Sequence, residues 1–326
     1  MAEDVADPDK ATTPDEVLAA LRDDPGKDGF QHDLDADHTV SYIARGPRLL
    51  VSFETLESSL HSTPGGLPVG LDFVEDKNWS LLHFAAHKDS WFRAQAIYDF
   101  IDDLVDNAFF EDFDHVMFYG TGIGAYAACT FSVAAPGATV MAIAPQATLD
   151  TERAGWDMRF PDAKRLRFDT RYGYAPDMLE GAGAGFILFD PYRPLDHVHA
   201  SLFQGANVTR LRCRHLDGRI EVALGELDLL HRTIEMAANG TLTEHGFYAL
   251  LRVRRDHDRY LRALVQALGK RGRPLHVVLV CQHVLSRQIG GPHFRKTLEA
   301  AKAKLAKQGA LPDWLAGENS SETLAP

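Results

Sequence analysis

Cysteine is scarce in this chain: Cys129, Cys213 and Cys281 are the whole complement among 326 residues, and no two form a C-x-x-C pair. That excludes a disulfide framework and a paired-cysteine zinc site, and leads to the expectation of three reduced, buried thiols in a cytoplasmic protein. Apolar runs of membrane-spanning length are missing, so no membrane span is expected. The stretch Met1 to Asp9 is acidic and lacks the charged and apolar regions of a signal peptide. His83, His87, His197, His199 and the Asp256–His257–Asp258 run supply ligand types. Their spacing repeats no known cage, so neither a metal nor a resident cofactor is expected. No internal repeat is visible.

What charge there is lies unevenly. The net charge is −12, with acids crowded before Asp35 and bases crowded between Arg252 and Lys307. No recognised nucleic-acid motif accompanies the bases, so nucleic acid is not an expected partner. The basic C-terminal helices are instead a candidate face for a protein partner.

The order of elements predicts the architecture. Residues 1–28 read as an acidic, partly disordered segment with one helix from Asp15 to Arg22. Residues 29–235 carry the strand signals: Thr39–Ala44, Arg48–Glu54, Trp79–Phe84, Val116–Tyr119, Ala138–Pro145, Gly185–Asp190 and Asn207–Cys213. The first two, joined by the Gly46–Pro47 turn, are expected to form an antiparallel lead-in. The later ones are continuous apolar runs separated by helical segments, which argues for an α/β fold with a mostly parallel sheet covered by helices on both faces. Residues 236–312 read as a helical extension with helices over 244–254, 256–268, 274–287 and 293–308, although Leu275–Val280 is Val-rich enough for a strand. Residues 313–326 read as a disordered tail.

One stretch organises the rest: His115–Val116–Met117–Phe118–Tyr119–Gly120–Thr121–Gly122–Ile123–Gly124–Ala125. It reads as a buried strand, a glycine turn and a helix of small residues. Two kinds of site use this geometry. In the nucleophile elbow the middle residue of G-x-S-x-G carries the attacking oxygen. In the dinucleotide turn G-x-G-x-x-G/A the backbone cradles a pyrophosphate. Gly120, Gly122 and Ala125 satisfy the second pattern, which makes Gly120, Thr121, Gly122 and Ile123 candidate cofactor-binding residues. No acid ends the following strand to hold a ribose, however, and Asp150 comes late for that role.

An elbow at Gly122 has no side chain and hence no oxygen for an imidazole to activate. Thr121 is the nearest hydroxyl, but it precedes the apex. The other parts of a Ser–acid–His order are present: Asp190 ends one strand, Asp196 follows in the next loop, and His215 follows the last strand. These three are the candidate remnants of a catalytic triad.

From Tyr119 to Tyr126 the chain resembles α/β-hydrolase-like proteins of bacteria, which read Y-G-x-S-M-G-G-Y-A-A there. The resemblance continues through Ser90–Trp91–Phe92, Phe131–Ser132, Pro136–Gly137–Ala138, Ala144 to Asp150 and Asp190 to Asp196, covering about residues 35 to 232. It implies an α/β-hydrolase fold in which the family's serine falls on Gly122. The whole chain is also similar to marine alphaproteobacterial proteins labelled phosphoadenosine phosphosulfate reductase. Such reductases share a Ser-Gly-Gly pyrophosphate loop and a C-terminal E-C-G-L-H cysteine. This chain has neither, and Cys281 stands in Val280–Cys281–Gln282–His283.

The sequence therefore predicts a degenerate α/β-hydrolase that binds a small carboxylate or acyl ligand or acts as a scaffold. Two other readings stand beside it. One is an active acyl or ester hydrolase with a displaced nucleophile and His215 as base. The other is a nucleotide-dependent oxidoreductase using the Gly120–Gly122–Ala125 turn.

Overall fold

The computed structural model describes residues 11, 13–23, 26–75, 77–216 and 218–316. The expected disorder at either end falls largely outside those residues. The chain divides into two compact units, one formed by residues 1–214 and 218–250, the other by 215–217 and 251–326.

The first unit is built on one eight-stranded sheet: β1 Phe30–Asp35, β2 His38–Ile43, β3 Arg48–Thr55, β4 Ser80–Ala86, β5 His115–Thr121, β6 Thr139–Ile143, β7 Ala184–Phe189 and β8 Val208–Arg212. Their spatial order is β1-β2-β4-β3-β5-β6-β7-β8. All pairings from β4 through β3 to β8 are parallel, as continuous apolar strands require. The lead-in is antiparallel, but its pairing differs from the expected hairpin. β2 pairs with β4 and β1, not with β3. The chain crosses over after the Gly46–Pro47 turn, and β4 fills the gap. β1 itself carries no apolar signal, because both its faces are at best half-buried and its register slips between Asp33 and Asp35.

Alternation along the strands sorts side chains between two faces. Val51 and Phe53 of β3, Leu82 and Phe84 of β4, Phe118 of β5 and Val140 of β6 join one buried cluster with Ile97 and Ile101. Two helices, α1 (Gln95–Asp106) and α2 (Ile123–Phe131), supply that cover. The residues between them in sequence, Ser52 and Glu54, His83 and Tyr119, take the opposite face. There α3 (Val69–Glu75) packs on β3 and β4, and α4 (Leu230–Ala238) packs on β6.

The second unit is helical. Asp258–Lys270, Pro274–Ser286 and Pro292–Lys307 bury Leu261, Val265, Val278, Cys281, Val284, Phe294 and Leu305 among themselves. Leu275–Val280 lies wholly in the second of these, opened by Pro274 in its first turn. The helix expected over 244–254 is α-helical only to Leu250 and tightens into a 3₁₀ turn over Leu251–Asp256.

Candidate functional site

The junction of β5 and α2 has the geometry of an elbow. Gly122 sits at φ +54°, ψ −118° between strand and helix. Its N–H donates to the Ile143 carbonyl at 2.9 Å and its carbonyl accepts from Tyr126 N–H at 3.1 Å, which pins the turn to β6 and to the helix. The three glycines have different reasons to be glycine. A Cβ on Gly120 would lie 2.3 Å from the Gly124 carbonyl, and one on Gly124 would lie 1.9 Å from the Phe53 carbonyl oxygen. Both are needed for the helix to approach the sheet. A Cβ on Gly122 would meet nothing within 4 Å. Gly122 thus has open space where an elbow serine would project, under a backbone conformation that disfavours any side chain.

Beside the elbow lies a cavity of about 210 Å³ lined by Ser58, His61 and Ser62, by Thr121, and by the segment Gly218–Val222. The first three belong to the helix Leu56–Ser62, and Ile220–Val222 belong to the helix Ile220–Glu226. Thr55 caps the first of these helices: its hydroxyl accepts from Ser58 N–H at 3.0 Å, and its N–H donates to Ser58 Oγ at 3.1 Å.

Of two glutamates not foreseen from the sequence, Glu221 lines this site and Glu54 holds the helix Leu56–Ser62 through Ser59. Glu221 and Glu54 are both buried. Glu221 accepts the Tyr119 hydroxyl and, at 3.2 Å, that of Ser62. Glu54 accepts the Ser59 hydroxyl at 3.1 Å and the Val69 N–H at 2.9 Å. Burial raises both carboxyls well above the usual carboxylate range, and for Glu54 the Glu221 charge adds to the rise. Burial also raises the Tyr119 phenol, with Glu221 beside it. The only sequence signal was an acid at the end of the apolar run Leu49–Phe53 and another inside Ile220–Leu224.

The structure places the triad candidates as follows. Asp190 is buried at the end of β7, where Oδ1 accepts the Tyr192 N–H at 2.9 Å and closes the following turn. Asp196 is paired with Arg159 at 2.5 Å and with Arg193 at 3.4 Å. His215 belongs to the second unit; it has φ +64° and its ring centroid lies 6.2 Å from that of Tyr260. Asp150, the late acid of the dinucleotide pattern, caps a short helix by accepting from the N–H groups of Glu152 and Arg153. Among the described residues no three His, Cys, Asp or Glu side chains are grouped to hold a metal ion.

A second buried network joins the loops after β6 and β7. His199 Nδ1 accepts the Ala147 N–H at 3.2 Å, which leaves Nε2–H to donate to Asp157 at 3.0 Å. Burial opposes the Asp157 charge, but hydrogen bonds from Arg159 outweigh it and hold that carboxyl down at about 2. Arg159 spans Asp157 and Asp196, locking the loop to the helix Pro194–Leu202.

The sheet order and the elbow together define an α/β-hydrolase-like architecture. The chain matches no family model and no curated protein. Among solved structures it is similar to a carboxyl esterase of the fungus Tuber melanosporum (12% identity, 65% of this chain and 89% of that one, TM-score 0.42). It is similar to an esterase of Pyrobaculum calidifontis (11%, 70% and 91%, TM-score 0.43). A capsule O-acetyltransferase of Neisseria meningitidis serogroup A is similar over 62% of this chain and 93% of that one (10% identity, TM-score 0.41). No helix among the described residues is long and apolar enough to cross a membrane.

Proposed function

We propose that this protein is an α/β-hydrolase-like binding protein that has lost covalent catalysis. The observation that carries the reading is Gly122: the strained elbow backbone persists, with room for a side chain, but with no nucleophile. The N–H groups opening the helix after it remain free of helical partners and favour an anion. His61 and Arg219 at the cavity's edge favour the same charge. At about 210 Å³ the cavity lies below the roughly 300 Å³ lower bound of drug-sized sites, which suits a small carboxylate or acyl compound. The three free, buried thiols support a reducing, cytoplasmic setting. The basic C-terminal helices are the face we assign to a protein partner.

The test is labelling by a fluorophosphonate together with turnover of short-chain activated esters, in wild type and in Gly122→Ser. Wild type is expected to be neither labelled nor active. Labelling of the serine variant would show that the anion-binding geometry survives without a nucleophile. Turnover by wild type would overturn the proposal in favour of an active hydrolase with a displaced nucleophile.

A further inference from the structure

We propose that the buried carboxyls Glu54 and Glu221 are a protonation-controlled latch that holds the helices beside the cavity in place at and below neutral pH and releases them at alkaline pH. The inference takes the cavity as the ligand site and adds its regulation.

The two carboxyls tie together the elements that enclose the cavity. Through Ser59 and Ser62 they hold the helix Leu56–Ser62; through Val69 they hold the start of α3; through Tyr119 they hold β5. Glu221 itself belongs to the opposite wall, and Ser62 and Glu221 both line the cavity. The latch therefore runs from wall to wall.

Every partner of these carboxyls is a neutral donor. Among the described residues no lysine, arginine or histidine forms an ion pair with either one. None of the charged groups on the surrounding elements is bonded to these carboxyls among the described residues. On Leu56–Ser62, Glu57 and His61 are exposed, and at the start of the opposite helix Arg219 is exposed too. On α3, Asp72 pairs with His231 of α4 at 3.0 Å. On β4, burial pushes His83 down to about 3, so it stays neutral. Two buried carboxylates with no counter-ion repel one another, and the pair lowers that cost by keeping a proton. Burial raises both carboxyls, and the Glu221 charge raises Glu54 further, so the pair gives up its last proton to solvent only well above the usual carboxylate range. Both acids are then charged, and the cheapest relief is for the wall to part and admit water.

Hydrogen exchange on the full-length protein tests this without any ligand, so its outcome is independent of the labelling experiment above. Exchange of the segments 56–62 and 220–226 is compared between about pH 6 and about pH 9 after correction for intrinsic rates. Protection of both segments is expected to fall by about tenfold or more across that range while β5, β6 and β7 keep theirs. Glu221→Gln or Glu54→Gln should abolish the fall. Tyr119→Phe removes a donor that favours the Glu221 anion, so it should move the fall to higher pH. Unchanged protection in wild type, loss spread evenly over the whole sheet, or an undiminished fall in a folded glutamine variant each overturns the latch. The wild-type comparison decides the matter even if a variant does not fold.

Discussion

Ser52 and His83 face each other on adjacent parallel strands with Oγ and Nδ1 2.8 Å apart, and both are fully buried. The other ring nitrogen, Nε2, is buried with no hydrogen-bond partner. Gly70 seals the spot from above: a Cβ there would lie 2.5 Å from Ser52 Oγ. The pair is thus a small polar inclusion in the face of the sheet that also carries Glu54 and Tyr119.

This inclusion gives the protein an acid liability. Burial lowers His83 from 6.5 to about 3. Between those values the unfolded chain binds a proton that the folded one refuses, so stability is full above the unfolded value and falls as pH drops. One such proton contributes a slope of about 1.4 kcal/mol per pH unit. Urea denaturation of His83→Gln between about pH 4 and about pH 6.5 should give an acid limb shallower by that one proton. Equal slopes in the two proteins would show that His83 is not the group responsible.

The elbow glycines should separate cleanly by substitution. Gly122→Ala meets no atom but must adopt a positive φ, so a loss of about 1–2 kcal/mol is expected. Gly124→Ala drives a methyl into the Phe53 carbonyl and should prevent native packing of α2, with a loss above about 3 kcal/mol or no folded protein. Thermal unfolding of the two variants side by side reads this order. A reversed order would mean that helix and sheet are farther apart than described.

Arg159 is the keystone of the network behind β6 and β7. Arg159→Met leaves buried Asp157 with His199 alone and buried Asp196 with only the longer Arg193 contact, and since the guanidinium is itself partly exposed a loss of about 2 kcal/mol is expected. The Asp157 carboxyl, held at about 2, contributes stability that is full above its unfolded value of 3.8 and is lost as pH falls toward 2. In the variant that acid limb should move to higher pH. Adding Asp196→Asn should recover part of the loss, because one of the two weakened buried charges is gone. No recovery in urea titrations would mean that Asp196 does not depend on Arg159.

The strands that hydrophobicity alone can announce were legible: Leu49–Phe53, Leu81–Phe84, Val116–Tyr119 and Phe186–Phe189 are buried runs, and each is a central strand. β1 was not, because Phe30–Asp35 is polar and gains its place only by pairing with β2. The insertion of β4 between β2 and β3 was equally invisible, since a short turn between two strands looks the same whether or not they pair. Gly122 was readable as an elbow without a nucleophile because the flanking Gly120 and Gly124 are fixed by local packing. Glu54 and Glu221 were not readable as a pair. Their neighbourhood depends on a distant helix bringing Glu221 to Tyr119 of β5 and to Ser62, and an isolated glutamate carries no periodicity to reveal it.

The two rims of the sheet are closed by unlike devices. At β8 the Arg212 N–H, which would otherwise face outward, donates at 3.0 Å to the hydroxyl of Tyr248 from the helix Glu244–Leu250. At β1 the slip between Asp33 and Asp35 breaks the ladder, and exposed His32 and Asp33 stand on the strand. Each device interrupts the flat row of amides that an edge strand offers a neighbouring molecule. The price of so long a parallel sheet is ordinarily a risk of fibrous growth, and here that risk is met at both margins by a single phenol and a single irregularity.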